Sequence, residues 1–419
     1  MQLGKGSRIA KIIWLLLGVY AVWELYWAAK VGSLAIKWHT HLALYIYLGW
    51  LTDVLLRLWH RKWPLKNVLN IRLMFGFVWG ILCCAEAFLV FTGIGDTYME
   101  RIHYGYVSRY GSNHEDYYRN HKPFETFYFT RPEFTYSRKC NSQGFSDIEW
   151  PVLKRKNEKR MLVLGDSFTE GVGAPFDSNC VSILRQLFAT SDTNVSFMNA
   201  ANAGDDPCVN FVCYRDLLRK YKPDVIVQML SSNDIHTDMA TKGGLERFRS
   251  NGKVQFAKGP WWEPIYALSY VSRLYFNAAG YNELLIKMPF SEKDKAQLDA
   301  RAITLFDSYS KLAQQENALL VVLLQPYQTT LYNKAFEYNL DTVVQHVSKM
   351  DNIKVMSLLP YYLHYFEGKG DSIKTYYWLN DGHHNAKGYV LMAEAVKNVL
   401  DSFMRTEGDV VEILKKGKK

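Results

Sequence analysis

Cysteine is scarce in this chain. Six in 419 residues exclude a small scaffold stapled by disulfides. No internal repeat is visible, and no low-complexity tract beyond the basic tail Lys415–Lys419. Acidic residues are nearly missing from the first fifth: residues 1–95 hold three, against ten Lys and Arg. The remainder carries 38 acidic and 40 basic residues. The net charge of +9 therefore belongs to the N-terminal fifth and gives no support for a nucleic-acid partner. At 48% hydrophobic and 22% charged, wholesale disorder is excluded. The length suggests two or three domains.

Three apolar stretches fill the N-terminal quarter. Ile12–Ala29 carries only Glu24, His39–Trp59 carries Asp53 and Arg57, and Leu73–Ile94 carries only Glu86. Each is about 18–22 residues long, enough to cross a hydrocarbon core of roughly 30 Å. Tyr26, Trp27, Trp38, Trp59 and Trp63 cluster near their ends, as interfacial belts do. A buried globular bundle would show a polar face that these stretches barely have. A cleaved signal peptide would need a small-residue cleavage site, and none is clear after the first stretch. Eight positive residues flank one side: Lys5, Arg8, Lys11, Arg57, Arg61, Lys62, Lys66 and Arg72. Only Lys30 and Lys37 flank the other. The N-terminus and the second loop are thus expected in the cytoplasm, and everything after about Gly95 outside it, periplasmic or on the cell surface. Glu24, Asp53 and Glu86 are costly at membrane depth. They are expected to pair within the bundle or to reach water, with contact to a second membrane protein as the other reading.

Residues 96–157 read as an aromatic-rich connector, with strong turn chemistry at Asn141-Ser142-Gln143-Gly144-Phe145. Beyond it, five short apolar runs recur at 161–164, 195–198, 224–230, 318–324 and 353–358. Amphipathic helix-length stretches lie between them, at about 179–189, 208–221, 293–316 and 336–349, with a last one at about 386–404. Strands alternating with helices predict an α/β domain with a parallel sheet covered on both faces. Sites in such sheets gather at the carboxyl ends of the strands.

The residues after those runs carry chemistry. The first run ends in Gly165-Asp166-Ser167, which places a serine on a tight turn facing a helix N-terminus. The second leads to Gly204, where a backbone N–H can approach a ligand. The third ends in Ser231-Ser232-Asn233-Asp234, with an amide at a strand end. The last is followed by Asp381-Gly382-His383-His384-Asn385-Ala386-Lys387-Gly388. Together these supply a nucleophile, an imidazole base, an orienting carboxylate and donors for an oxyanion.

Gly165-Asp166-Ser167, Gly204, Asn233 and Asp381 with His383/His384 resemble the four blocks of the SGNH (GDSL-type) hydrolase superfamily. The resemblance covers about residues 158–405. It implies a flavodoxin-like three-layer α/β/α sandwich, preceded here by a transmembrane helical region outside the match. It implies Ser167 as nucleophile, Asp381 and a histidine completing the catalytic triad, and an oxyanion hole from Ser167 N–H, Gly204 and Asn233. The commonest family spacing, Asp-x-x-His, would select His384. The downstream pattern His-x-Asn-x-x-Gly selects His383, because Asn385 and Gly388 then fall in register.

Other candidates are weaker. His236 with Asp238 lacks a third ligand at useful spacing and reads as a surface loop, so no metal or cofactor is expected. Cys140, Cys180, Cys208 and Cys213 read equally as disulfides or as buried thiols. Trp261, Trp262, Tyr266, Tyr270 and Tyr275 form an aromatic cluster in an insert at about 240–292. The cluster reads as core or membrane-proximal packing, or as a binding platform. The domain plan is residues 1–95 transmembrane, 96–157 connector, 158–405 catalytic and 406–419 basic tail. The expected function is a multi-pass, membrane-anchored serine esterase removing acyl groups, acetyl first among them, from an envelope glycan or lipid. The alternatives are an O-acyltransferase supplied by a membrane protein partner and a non-catalytic scaffold.

Overall fold

The computed structural model describes residues 15–16, 18–19, 38–59, 65–92, 94, 121–189, 194–248, 269–280 and 291–416. The chain divides into two compact units. One comprises Met1–Val107 with Gln255–Pro289, the other Ser108–Val254 with Phe290–Lys419.

In the first unit, helices α1 (Trp38–Trp59) and α2 (Leu65–Thr92) form where the second and third apolar stretches lie. Within α2, Leu69–Thr92, of mean hydropathy 2.1, is the one helix among the described residues long and apolar enough to cross a membrane. The apolar part of α1, Ile46–Leu55, is shorter. Most of the first predicted span, with Glu24, lies outside the described residues, although Leu15, Leu16, Gly18 and Val19 are helical. Two of the three carboxylates find partners. Asp53 takes a two-pronged bond from Arg72, at 2.6 and 3.1 Å, joining α1 to α2. Glu86 is fully buried. It accepts from Ser269 Oγ at 3.0 Å, Tyr270 N at 2.7 Å and Val271 N at 3.0 Å, at the start of a helix over Tyr270–Ala278. A helix N-terminus offers unpaired N–H groups and a positive dipole end, so a carboxylate there is satisfied without a counter-ion.

The second unit holds β1 (Thr126–Thr130) and β2 (Thr135–Lys139), an antiparallel hairpin forming a sheet of its own. It is followed by β3 (Lys159–Leu164), α3 (Ser167–Glu170), α4 (Cys180–Ala189), β4 (Val195–Asn199), α5 (Pro207–Cys213), β5 (Val225–Leu230), α6 (Glu292–Gln315), β6 (Leu319–Leu324), α7 (Asp341–Val347), β7 (Ile353–Ser357), α8 (Leu359–Phe366) and α9 (Ala386–Lys416). The five predicted runs make β3–β7, all paired in parallel in the order β4-β3-β5-β6-β7. That is the doubly wound, flavodoxin-like strand order. Because side chains alternate along a strand, Leu162, Ile226, Leu320 and Val322 face a core built with α5, α6 and α7. Met161, Val163, Val227, Val321 and Leu323 face a second core built with α4, α8 and α9. Helices therefore cover both faces, giving three layers. Helix α9 runs on to Lys416 and takes in most of the segment read as a tail.

Cys140, Cys180, Cys208 and Cys213 are buried free thiols. The reading of His236 as a surface loop is corrected. His236 is buried in a π-helical stretch, Asp234–Met239. Its Nδ1 lies 2.6 Å from Ser232 O, and its ring stacks on Tyr338 at 5.8 Å. Ile235 and Met239 on the same stretch are fully buried and anchor it in the core.

Candidate active site

Strands β4, β3 and β5 are neighbours, so their carboxyl-end loops lie side by side. Those loops carry Gly204, Ser167 and Asn233. Ser167 opens α3, a single helical turn. The preceding Asp166 caps it by accepting from Phe168 N at 2.9 Å. A turn this short leaves Ser167 N–H without an acceptor in its own helix.

The histidine and the acid reach this turn from the loop before α9. His383 Nε2 is 2.7 Å from Ser167 Oγ, and His383 Nδ1 is 2.5 Å from Asp381 Oδ1. The carboxylate requires the proton on Nδ1, which leaves Nε2 to accept from the serine hydroxyl. His384 is fully buried and points the other way. Its ring sits 4.4 Å from that of Tyr377 and 5.4 Å from that of Tyr389. Burial pushes its pKa down to about 3, so it stays neutral. The His-x-Asn-x-x-Gly pattern has a local cause. Asn385 caps α9 by accepting from Lys387 N and Gly388 N. Gly388 has no Cβ because one would lie 2.4 Å from the His384 ring.

Gly204 has φ +83 and open space beside it, a left-handed conformation that glycine adopts freely. Its loop is tied to α3 by Glu170, whose buried carboxylate accepts from Ala203 N at 2.6 Å. Asn233 is half-buried and makes no side-chain capping bond to the helix it precedes. Beneath the nucleophile, Tyr327 donates within a network joining Asp166 Oδ2 at 3.1 Å to Ser231 Oγ at 2.9 Å. Ser231 in turn donates through N and Oγ to Asp234. Burial raises the pKa of both Asp166 and Asp234.

Several residues at the site escaped the sequence reading, and all but Tyr327 and Glu170 come from the hairpin. Arg138, buried on β2, donates to the carbonyls of Glu170 and Ala174 at 2.5 Å each and to that of Gly171. Tyr136 Oη accepts from Gly173 N at 3.0 Å, and burial raises its pKa to about 12. Glu133 and Arg131, in the hairpin turn, lie against Asp381. The sequence signal available was the pair of Thr- and aromatic-containing segments Thr126–Thr130 and Thr135–Lys139 on either side of Pro132.

No family model matches the sequence, and no curated protein matches it. Solved structures are similar over part of the chain. A psychrotrophic esterase, EstA from Pseudoalteromonas sp., is 14% identical over 59% of this chain and 99% of its own, with a TM-score of 0.35. An acetyl xylan esterase, AlAXEase, is 13% identical over 57% and 98%, with a TM-score of 0.36. TesA is 16% identical over 58% and 98%, with a TM-score of 0.34. Likeness at this level assigns no activity to the chain, whose chemistry rests on its own site.

Proposed function

We propose that this protein is a serine esterase of the SGNH type, anchored by its N-terminal helices, that removes an acyl group, acetyl in the first instance, from an envelope glycan or lipid. The observation that carries this reading is the hydrogen-bonded chain Ser167–His383–Asp381, at 2.7 and 2.5 Å, at the carboxyl ends of a parallel sheet. Ser167 Oγ attacks the ester carbonyl as His383 Nε2 takes its proton. The developing oxyanion is met by Ser167 N–H, Gly204 N–H and the Asn233 amide, donors that act mainly in the transition state. The C–O bond of the leaving alcohol breaks as His383 returns the proton to it. Water, deprotonated by the same imidazole, then cleaves the acyl-enzyme and restores Ser167. A sugar hydroxyl in place of that water would make the protein an O-acyltransferase, with an identical first half-reaction.

The test is incubation of the full-length protein with an acetyl-ester chromogen, with and without a glycan acceptor. Wild type should release the chromophore, and Ser167→Ala should lose several orders of magnitude of turnover. Acetyl appearing on the acceptor would select the transferase. Equal activity in wild type and Ser167→Ala would overturn the serine mechanism.

A further inference from the structure

Glu133 lies in the turn between β1 and β2, about 250 residues from the loop it touches. One oxygen of its carboxylate, Oε2, accepts from two consecutive backbone N–H groups, those of Asn380 and Asp381, at 2.9 Å each. Next to it, Arg131 Nε lies 3.8 Å from Asp381 Oδ2, the oxygen that His383 does not use.

We infer that Glu133 is a positioning residue that aims the Asp381 carboxylate at His383. The inference rests on the reading of Ser167–His383–Asp381 as a catalytic chain. The far side of the loop is closed by its own backbone: Trp378 N bonds His383 O at 2.8 Å, and Gly382 N bonds Trp378 O at 2.9 Å. Those bonds leave the N–H groups of 380 and 381 pointing out of the turn. A single acceptor shared between them fixes the peptide plane joining the two residues, and with it the Cα–Cβ direction of Asp381. A bond from charged acceptor to backbone N–H is among the stronger hydrogen bonds. Arg131 is the weaker element. Its side chain is 59% exposed, and exposed pairs contribute little. Its role is to set a positive charge beside the Asp381 oxygen that His383 does not use. Among the described residues, the charged and titratable groups around Asp381 are His383 from its own loop and Glu133, Arg131 and Tyr136 from the hairpin.

The experiment uses the full chain and a fluorophosphonate probe. The serine Oγ–P bond forms, fluoride leaves, and His383 takes the hydroxyl proton, so the rate reads the geometry of the chain. Glu133→Ala should lower the labelling rate at saturation about tenfold to a hundredfold, the scale of a misplacement near 1 Å. The half-saturating probe concentration should change less than about twofold. Glu133→Gln keeps an oxygen that can accept both N–H groups and should label within about threefold of wild type. Equal losses in the Ala and Gln variants, or wild-type labelling of Glu133→Ala, would overturn the inference. If Glu133→Ala does not fold, Glu133→Asp carries the test. It keeps the charge but withdraws the oxygen by one methylene, and it should also label about tenfold slower; labelling at the wild-type rate would overturn the inference. A folded wild type that takes no label at all overturns the serine reading itself, an outcome visible before any substitution is made.

Discussion

A buried imidazole titrates against folding, because its charged form is available only to the unfolded chain. His384 is in that position: enclosed by rings, with Nδ1 3.3 Å from Tyr376 O, its pKa is held by burial at about 3 against about 6.5 when unfolded. A depressed histidine pKa means the folded state binds fewer protons. The stability it permits is complete above pH 6.5 and is lost as pH falls from there towards 3. At pH 5 the loss is about 2 kcal/mol. The melting temperature of wild type should therefore fall more steeply between pH 7 and 5 than that of His384→Asn. Parallel curves would show that His384 is not the titrating group. In the acetyl-ester assay His383→Ala should lose several orders of magnitude of turnover. His384→Ala should lose stability first, and turnover only in proportion. At this scale the chain Ser167–His383–Asp381 was legible, since each residue follows a recognisable strand or precedes a helix, while the oxyanion role of Gly204 and Asn233 belongs to the proposed mechanism. Choosing between two adjacent histidines needed the Asn385 cap and the space left by Gly388, both of which are matters of the helix that follows.

Elements were legible in proportion to their apolar content. The runs that form β3, β5 and β6 are buried on both faces, and continuous hydrophobic stretches of that length have few other solutions. The hairpin β1–β2 has a different character. Its inward residues on β2 are Tyr136 and Arg138, a polar and a charged side chain, so hydrophobic periodicity passes over them. What makes Arg138 inward is the row of carbonyls on the turn after Ser167, which only a forked donor serves at once. Its removal leaves the carbonyls of Glu170, Gly171 and Ala174 short of a buried donor. Arg138→Met should cost about 3 kcal/mol or more in folding stability and slow probe labelling of Ser167 as the turn relaxes. Arg138→Lys should recover little, because an ammonium cannot span the three oxygens. Wild-type melting and labelling in Arg138→Met would mean that the turn holds its own shape.

Arg72, one of the eight positive residues on the proposed cytoplasmic side, is taken up by its pair with Asp53. Removing it from the count leaves seven positive residues on that side against two on the other, so the orientation proposed from charge is unchanged. The pair also fits that orientation. Asp53 lies six residues before the end of α1 at Trp59, and Arg72 lies seven after the start of α2 at Leu65, so both sit near the ends joined by the basic loop. There a long side chain reaches the interface and the pair is less costly than at the midplane. Glu86 sits six residues, or about 9 Å, before the opposite end of α2 at Thr92. It is there that the helix over Tyr270–Ala278 meets it, so in the proposed topology a segment of the insert lies at the depth of the outer end of α2. The aromatic residues Trp261, Trp262 and Tyr266 of that insert lie outside the described residues. The proposed topology then has one direct test. An enzyme reporter that folds only outside the cytoplasm, fused after Lys419, should be active in cells, and a cytoplasm-only reporter at the same point should be silent. Moving the pair of reporters to the loop after Trp59 should exchange the two results. Cytoplasmic activity after Lys419 would overturn the orientation, and with it the envelope substrate, while leaving the chemistry of Ser167 untouched.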